Sequence, residues 1–355
     1  MTGLTTDGSR PLSRPTKRRH PGSLARILCL ALVRSVTLLA QTFQLPTANH
    51  ALFEPGREEQ FFVGTVGKPW TSGCFGCVRS ENWQMHEGLD IKCVQRDKHG
   101  EPEDPVRATA DGVVAYITTH PALSNYGNYI VIAHRVDGLE VYSLYAHLKE
   151  VRPGLKAGDA VKAGDPIAVM GRTSNTRQGI SKERAHVHFE LNLLVNDRFA
   201  AWFEQACPGQ RNDHGAWNGQ NLLGLDPRAI LLLQARQGPR FKLSAWLQNE
   251  PEICRVLVRA THFPWLRRYA ALTQRNPVAE RDGVAGYELA LDFNGVPIRL
   301  TPRAASEIKS PAKFQLLSVN EPEYHQHPCR RLVISRGGQW QLTGHGTKLL
   351  EQLTF

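Results

Sequence analysis

The stretch AHVHFELNLL (185–194) sets two histidines two residues apart at the head of an apolar run. In a strand, residues i and i+2 share a face. His186 and His188 are therefore expected side by side, Glu190 continues their face, and Val187 lies on the other. Two adjacent imidazoles are bulky and polar and make poor core material unless they find partners. A metal ion satisfies one of them and leaves the other free as a base or hydrogen-bond donor. Upstream, ATADGVVAYI (108–117), NYIVIAH (128–134) and LEVYSLYAHL (139–148) read as strands rich in Val, Ile and Tyr. KAGDAV (156–161) and KAGDPI (162–167) read as paired Gly-Asp turns. Helical period first returns at AWFEQA (201–206), so the region predicts an antiparallel β domain.

Two further stretches bring chemistry to that domain. HEGLD (86–90) carries His86 and Asp90, which can converge if Gly88 lets the chain bend between them. YAHL (145–148) carries His147. A catalytic zinc takes three protein ligands and keeps a fourth position open. His86, Asp90 and one of His186 and His188 make three, and spacing leaves open which of the pair it is. One carboxylate and two neutral imidazoles leave positive charge on such a site, enough to bring a bound water toward a pKa of about 7. His147 and the other member of the pair then remain to orient or deprotonate the water and to stabilise an oxyanion. His99, His120 and His134 fall outside this pattern and read as surface or structural residues.

Composition narrows the class. The chain has 355 residues, 41% hydrophobic and 21% charged, as expected of a globular protein. The formal net charge is +10, but residues 1–40 hold seven Arg/Lys against one Asp, and no dense basic stripe follows. Nucleic-acid binding is not indicated. GxGxxG and GxxxxGK[ST] are absent, which argues against nucleotide binding. HExxH and G-x-S-x-G are also missing, which sets aside thermolysin-like and serine-hydrolase chemistry. A basic run (10–26) followed by LARILCLALVRSVTLLAQ (24–41) reads as a secretory signal over residues 1–40, with cleavage near Ala40. Membrane contact is expected only through that segment, if it is retained. Beyond Cys29, six cysteines remain, an even number that suits an oxidising compartment. CFGC (74–77) reads as a loop disulfide, and Cys254 and Cys329 as a second pair, since each begins a strand-like run.

Residues 41–80 look irregular. The β domain is placed at 81–207, and a linker with a short helix started by Asp226 and Pro227 at 208–240. A C-terminal α+β domain follows at 241–355, with strands at ICRVLVRA, GYELALDF and RRLVISR and a helix at TKLLEQL. His325 and His327, in EYHQHPC, are expected in a loop because of Pro328.

The ordered set HEGLD, YAHL and HVHFE, with ATADGVVAYI, YGNYIVIAH and LKAGDAVKAGDPIAVMGRT between, resembles the LytM/lysostaphin-type zinc metallopeptidases over about residues 80–195. The resemblance implies a mainly β chain whose small antiparallel core, a duplicated-hybrid-motif fold, holds a groove between loops. It implies one Zn2+ per chain on His86, Asp90 and His188, with His147 and His186 as catalytic residues. It implies attack of zinc-bound water on peptide bonds of bacterial peptidoglycan, in the periplasm or outside the cell. Tyr145, two residues before His147, is expected near the groove without a chemical role. Ala185 stands where the family more often has proline, and 177–184 and 97–106 are segments expected to reshape the groove. Two alternatives remain: a secreted zinc peptidase acting on other proteins or peptides, and a non-catalytic scaffold or activator of cell-wall hydrolases, in which 41–80 could act as an inhibitory segment.

Overall fold

Nine successive residues, His186–Leu194, form one strand, and all nine are buried. The computed structural model, which describes residues 43–355, shows why. One edge of this strand pairs with Leu139–Ala146. The other edge is shared: Leu89–Lys92 takes its first half and Leu222–Leu225 its second. Beyond Leu139–Ala146 the sheet continues through Tyr129–Val136, Gly112–Thr118 and Ala160–Val161, every neighbour antiparallel. With partners on both edges, the strand is held inside the sheet and not at its rim. The secretory segment expected at residues 1–40 lies outside the described residues, and among these no helix is long and apolar enough to cross a membrane.

Alternation then separates core from site. Val187, Phe189, Leu191 and Leu193 share one apolar core with Leu89, Ile91, Ile130, Ile132 and Tyr145. A small three-stranded sheet, Pro105–Arg107, Pro166–Val169 and Glu150–Val151, adds Val106, Ile167 and Ala168 to the same core. Removing a ring from its centre, as in Phe189→Ala, is worth about 3–5 kcal/mol. His186, His188, Glu190 and Asn192 alternate with these residues and occupy the opposite face. Tyr145 pairs in register with Phe189, so it faces the core and not the groove expected for it. Its hydroxyl accepts the Thr109 N–H at 2.8 Å.

The fold is mainly β, with an α+β C-terminal portion. There, Pro297–Arg303, Gly286–Leu291, Cys254–Val258 and Phe314–Val319 form a four-stranded antiparallel sheet, and Val333–Arg336 pairs with Gln339–Leu342. Helix Pro227–Gln237 begins where Asp226 accepts the N–H groups of Arg228 and Ala229, an N-cap followed by Pro. A last helix, Gly344–Leu353, closes the chain against the core with Leu349, Leu350 and Leu353. Residues 43–79 are short in regular structure yet packed: Phe43, Phe61 and Phe62 are core residues.

Two expectations are corrected. His325 lies in a helix, Glu321–Gln326, capped by the Asn320 side chain, and His327 ends it; Pro328 follows the helix and does not prevent it. The disulfide joins Cys77 to Cys329, 252 residues apart, and Cys74 and Cys254 are free. Cys74 is extended and Cys77 belongs to the strand Gly76–Arg79. Cys254 is buried in the apolar core, on the strand Cys254–Val258.

A bridge closing so long a loop restricts the unfolded chain. Cys77→Ser or Cys329→Ser is expected to lower unfolding free energy by about 2–5 kcal/mol. Denaturant titration checks this; an unchanged midpoint with an unchanged slope would contradict it.

Candidate active site

Antiparallel register places Asp90 directly across from His188. His86, on the strand Gln84–His86, returns to the same point after the turn through Glu87 and Gly88. Gly88 is required for proximity and not for an unusual bend: a Cβ there would lie 2.3 Å from the Phe189 carbonyl oxygen. Three atoms meet. His86 Nε2 lies 3.1 Å from Asp90 Oδ1 and 3.0 Å from His188 Nδ1, and His188 Nδ1 lies 3.0 Å from Asp90 Oδ1. All three residues are buried. A tetrahedral ion with bonds of about 2.0–2.1 Å holds its ligand atoms about 3.3 Å apart, so the triangle fits zinc with little movement.

Each donor is held from behind. His86 Nδ1 donates to the Cys74 carbonyl at 2.7 Å, which leaves its Nε2 lone pair facing the triangle. His188 Nε2 lies 2.7 Å from Glu190 Oε1, which leaves Nδ1 facing it. Arg79 Nη2 holds Asp90 Oδ2 at 2.7 Å and turns Oδ1 inward. Such outer partners fix tautomer and ring orientation at metal sites. Glu190 is itself held by the Tyr126 hydroxyl at 2.7 Å and the Asn192 amide at 2.7 Å.

The remaining two histidines face each other beside the triangle, ring centroids 4.8 Å apart. Nδ1 of His147 donates to the Thr173 carbonyl at 2.8 Å, and Nδ1 of His186 to the Arg184 carbonyl at 2.6 Å. Both Nε2 atoms are thereby turned toward the cleft, and that of His186 lies 3.4 Å from Asp90 Oδ1. His147 reaches this position because its backbone is left-handed, φ +61°, which turns the chain out of the strand just after Ala146.

Burial and charge set the protonation states. Burial, with His186 and His188 beside it, holds His147 well below the usual imidazole range. Burial likewise lowers His86, against the pull of Asp90. For Asp90 burial acts upward, but the surrounding histidines win and keep it well below the usual carboxylate range. For His188 burial acts downward and is outweighed by Asp90 and Glu190 on its two nitrogens, which push it up to about 9. In the metal-free protein His188 is thus an imidazolium between two carboxylates.

The cleft has a volume of about 800 Å³. Gln178, Ile180 and Arg184 line it, as expected of 177–184. Residues 97–106 do not line it. Glu101 of this segment instead pairs with Lys182 of that loop and with Arg172 before it, and Arg96, just ahead of the segment, donates to the Lys182 carbonyl. Sequence reasoning missed Arg79, Tyr126 and the Cys74 carbonyl, which act through contacts that spacing does not encode. It also missed His214, Arg330 and Lys348, which line the cleft from residues beyond the β domain. The position of Glu190, two residues after His188, was the one available signal. Of the other histidines, His134 is buried and bonded to the Asp111 carbonyl and Ser143, while His99 and His120 are exposed.

The family model for peptidase family M23 matches residues 84–198, the span that carries all five of these side chains. Lipoprotein NlpD of Yersinia enterocolitica is 39% identical over 95 residues, which cover 27% of this chain and 84% of that protein. The chain belongs to peptidase family M23. Murein hydrolase activator NlpD of Escherichia coli is 38% identical over 106 residues, 30% of this chain, and the match spans only 22% of that relative. Among solved M23 structures, the catalytic domain of the antimicrobial peptidase lysostaphin from Staphylococcus simulans is similar at 19% identity and a TM-score of 0.28, covering 49% of this chain and 89% of that one.

An ion bound by these three atoms must displace the His188 proton, whereas His86 is already neutral. Apparent zinc affinity is therefore expected to fall about tenfold per pH unit below pH 9. The sign follows from the raised value: the proton stabilises the metal-free fold below pH 6.5, and that contribution disappears as pH rises through about 9. Competition titrations at pH 6, 7 and 8 check this, and an affinity constant across that range would contradict it.

Proposed function

We propose that this chain is an exported, zinc-dependent metalloendopeptidase that hydrolyses peptide bonds in bacterial peptidoglycan. The observation that carries this is the meeting of His86, Asp90, His188, His147 and His186 at one end of one cleft, from three separate segments. His86, Asp90 and His188 would hold one zinc ion per chain. When bound, zinc supplies Lewis-acid activation of water and of the scissile carbonyl.

The protein's own groups do the rest. His147 is neutral, with Nδ1–H tied to Thr173, and offers the lone pair of Nε2 as general base. His186, with Nδ1 tied to Arg184, presents Nε2 beside it, toward the oxygen on which negative charge develops. Arg79 holds one oxygen of Asp90 and aims the other, and Glu190, on Nε2 of His188, leaves its Nδ1 turned to the site. The cleft volume of about 800 Å³ suits a peptide of a few residues. Export is supported by the basic and apolar N-terminal segment and by the Cys77–Cys329 disulfide.

A second reading has a specific observation behind it: the Escherichia coli relative is named a murein hydrolase activator. One experiment separates the two. Purified zinc-loaded protein is incubated with cross-linked muropeptides and the products are weighed by mass spectrometry. Hydrolysis is expected, falling about 10²–10⁴-fold in His147→Ala with zinc content unchanged. Stoichiometric zinc without hydrolysis, together with stimulation of a separate wall hydrolase, would establish the activator instead.

A further inference from the structure

One wall of the cleft is cationic and comes from outside the residues matched to the family. Five Arg/Lys and three Asp/Glu side chains line the cavity. Asp90 and Asp213 are already paired, with Arg79 and Arg211. This leaves Arg184, Arg330 and Lys348 against Glu87, a surplus of two positive charges. Arg184 spends its Nε on the Gly64 carbonyl. Arg330 makes no hydrogen bond or ion pair among the described residues and its Nε is buried without a partner, while Glu87 and Asp292 act on it only from beyond contact distance. Among the described residues, Lys348 meets the Cys207 sulfur at 3.0 Å and the face of Trp202 and pairs with no carboxylate. His345 lies near both cations and lines the same wall.

Leaving a buried guanidinium N–H without an acceptor is unfavourable. Its planar fork matches a carboxylate with two parallel hydrogen bonds. Covalent geometry ties the position of Arg330 to the metal triangle. Its neighbour Cys329 is bridged to Cys77, and Cys77 lies across from Met85, next to His86.

We propose that Arg330 and Lys348 form an anion subsite that binds a carboxylate of the peptide substrate and sets its register against the metal centre, with the Cys77–Cys329 bridge fixing that wall in place. The proposal deepens the peptidase assignment and rests on it for the identity of the ligand. The carboxylate is either the free C-terminus of the peptide or an acidic side chain along it.

The test uses the zinc-loaded full chain and three probes: a wall-type pentapeptide with all carboxylates free, the same peptide with a C-terminal amide, and the same peptide with its side-chain carboxylate amidated. Dissociation constants are measured by calorimetry at 4 °C and hydrolysis is followed on the same samples. One amide is expected to bind about tenfold more weakly than the free acid, which identifies the source. Arg330→Gln and Lys348→Gln are each expected to weaken the free acid about tenfold and leave that amide unchanged, with Arg330→Lys partly restoring affinity. Thermal melts of each variant control for folding, and Lys348→Gln, at a half-exposed site, carries the test if Arg330→Gln unfolds. Equal affinity of all three probes, or variants that weaken acid and amide alike, would overturn the subsite. Carboxylate-dependent binding with no hydrolysis would instead keep the subsite and sink the peptidase assignment.

Discussion

The antiparallel register that sets Asp90 against His188 is the constraint on which the rest depends. An ionised carboxylate buried to this degree is tolerated only with charge and hydrogen-bond partners on every side. Here these are Arg79 on one oxygen and the imidazoles of His86, His186 and His188 around the other. A slip of one residue would send Asp90 to the apolar face and Ile91 to the site. The register is protected because the HxH strand lends its first half to Leu89–Lys92 and commits its apolar face to a core that includes Phe189 and Tyr145.

Around that fixed point the protein assembles a charge system that favours a cation. His188 carries a proton where an ion would sit, because two carboxylates flank it. His147, a short distance away and also buried, stays neutral because neighbouring imidazoles oppose a second charge. One buried pocket thus holds a protonated imidazole flanked by two carboxylates and, beside it, a neutral one. The C-terminal portion completes the enclosure: Asn294, Arg330, His345 and Lys348 line the cleft, and a single covalent bridge ties their end of the chain to the strand beside His86.

Much of this was legible in the sequence because it is local. The two-residue period of AHVHFELNLL, the turns at KAGD and the capped helix after Asp226 each follow from a few adjacent residues. The same holds for the grouping of His86 with Asp90, which needs only one tight turn. What was not legible is set by contacts far apart in sequence. Cys77 is bridged to Cys329, 252 residues away, and not to its near neighbour Cys74. Tyr145 points to the core, since only the left-handed backbone at His147 turns the chain to the other face. The helix at Glu321–Gln326 is short and polar, so no apolar period marks it, although Asn320 and Pro322 sit at its start. Arg79 and Arg330 carry no motif at all and are identified only by what they face.

The most direct measurement is anomalous diffraction at the zinc edge from crystals of the zinc-loaded protein. One peak is predicted, bonded to His86 Nε2, Asp90 Oδ1 and His188 Nδ1 at about 2.0–2.2 Å, with Nε2 of His147 and of His186 facing it unbonded. A peak on His147 or His186, or no peak with Asp90 still held between Arg79 and a protonated His188, would contradict the account.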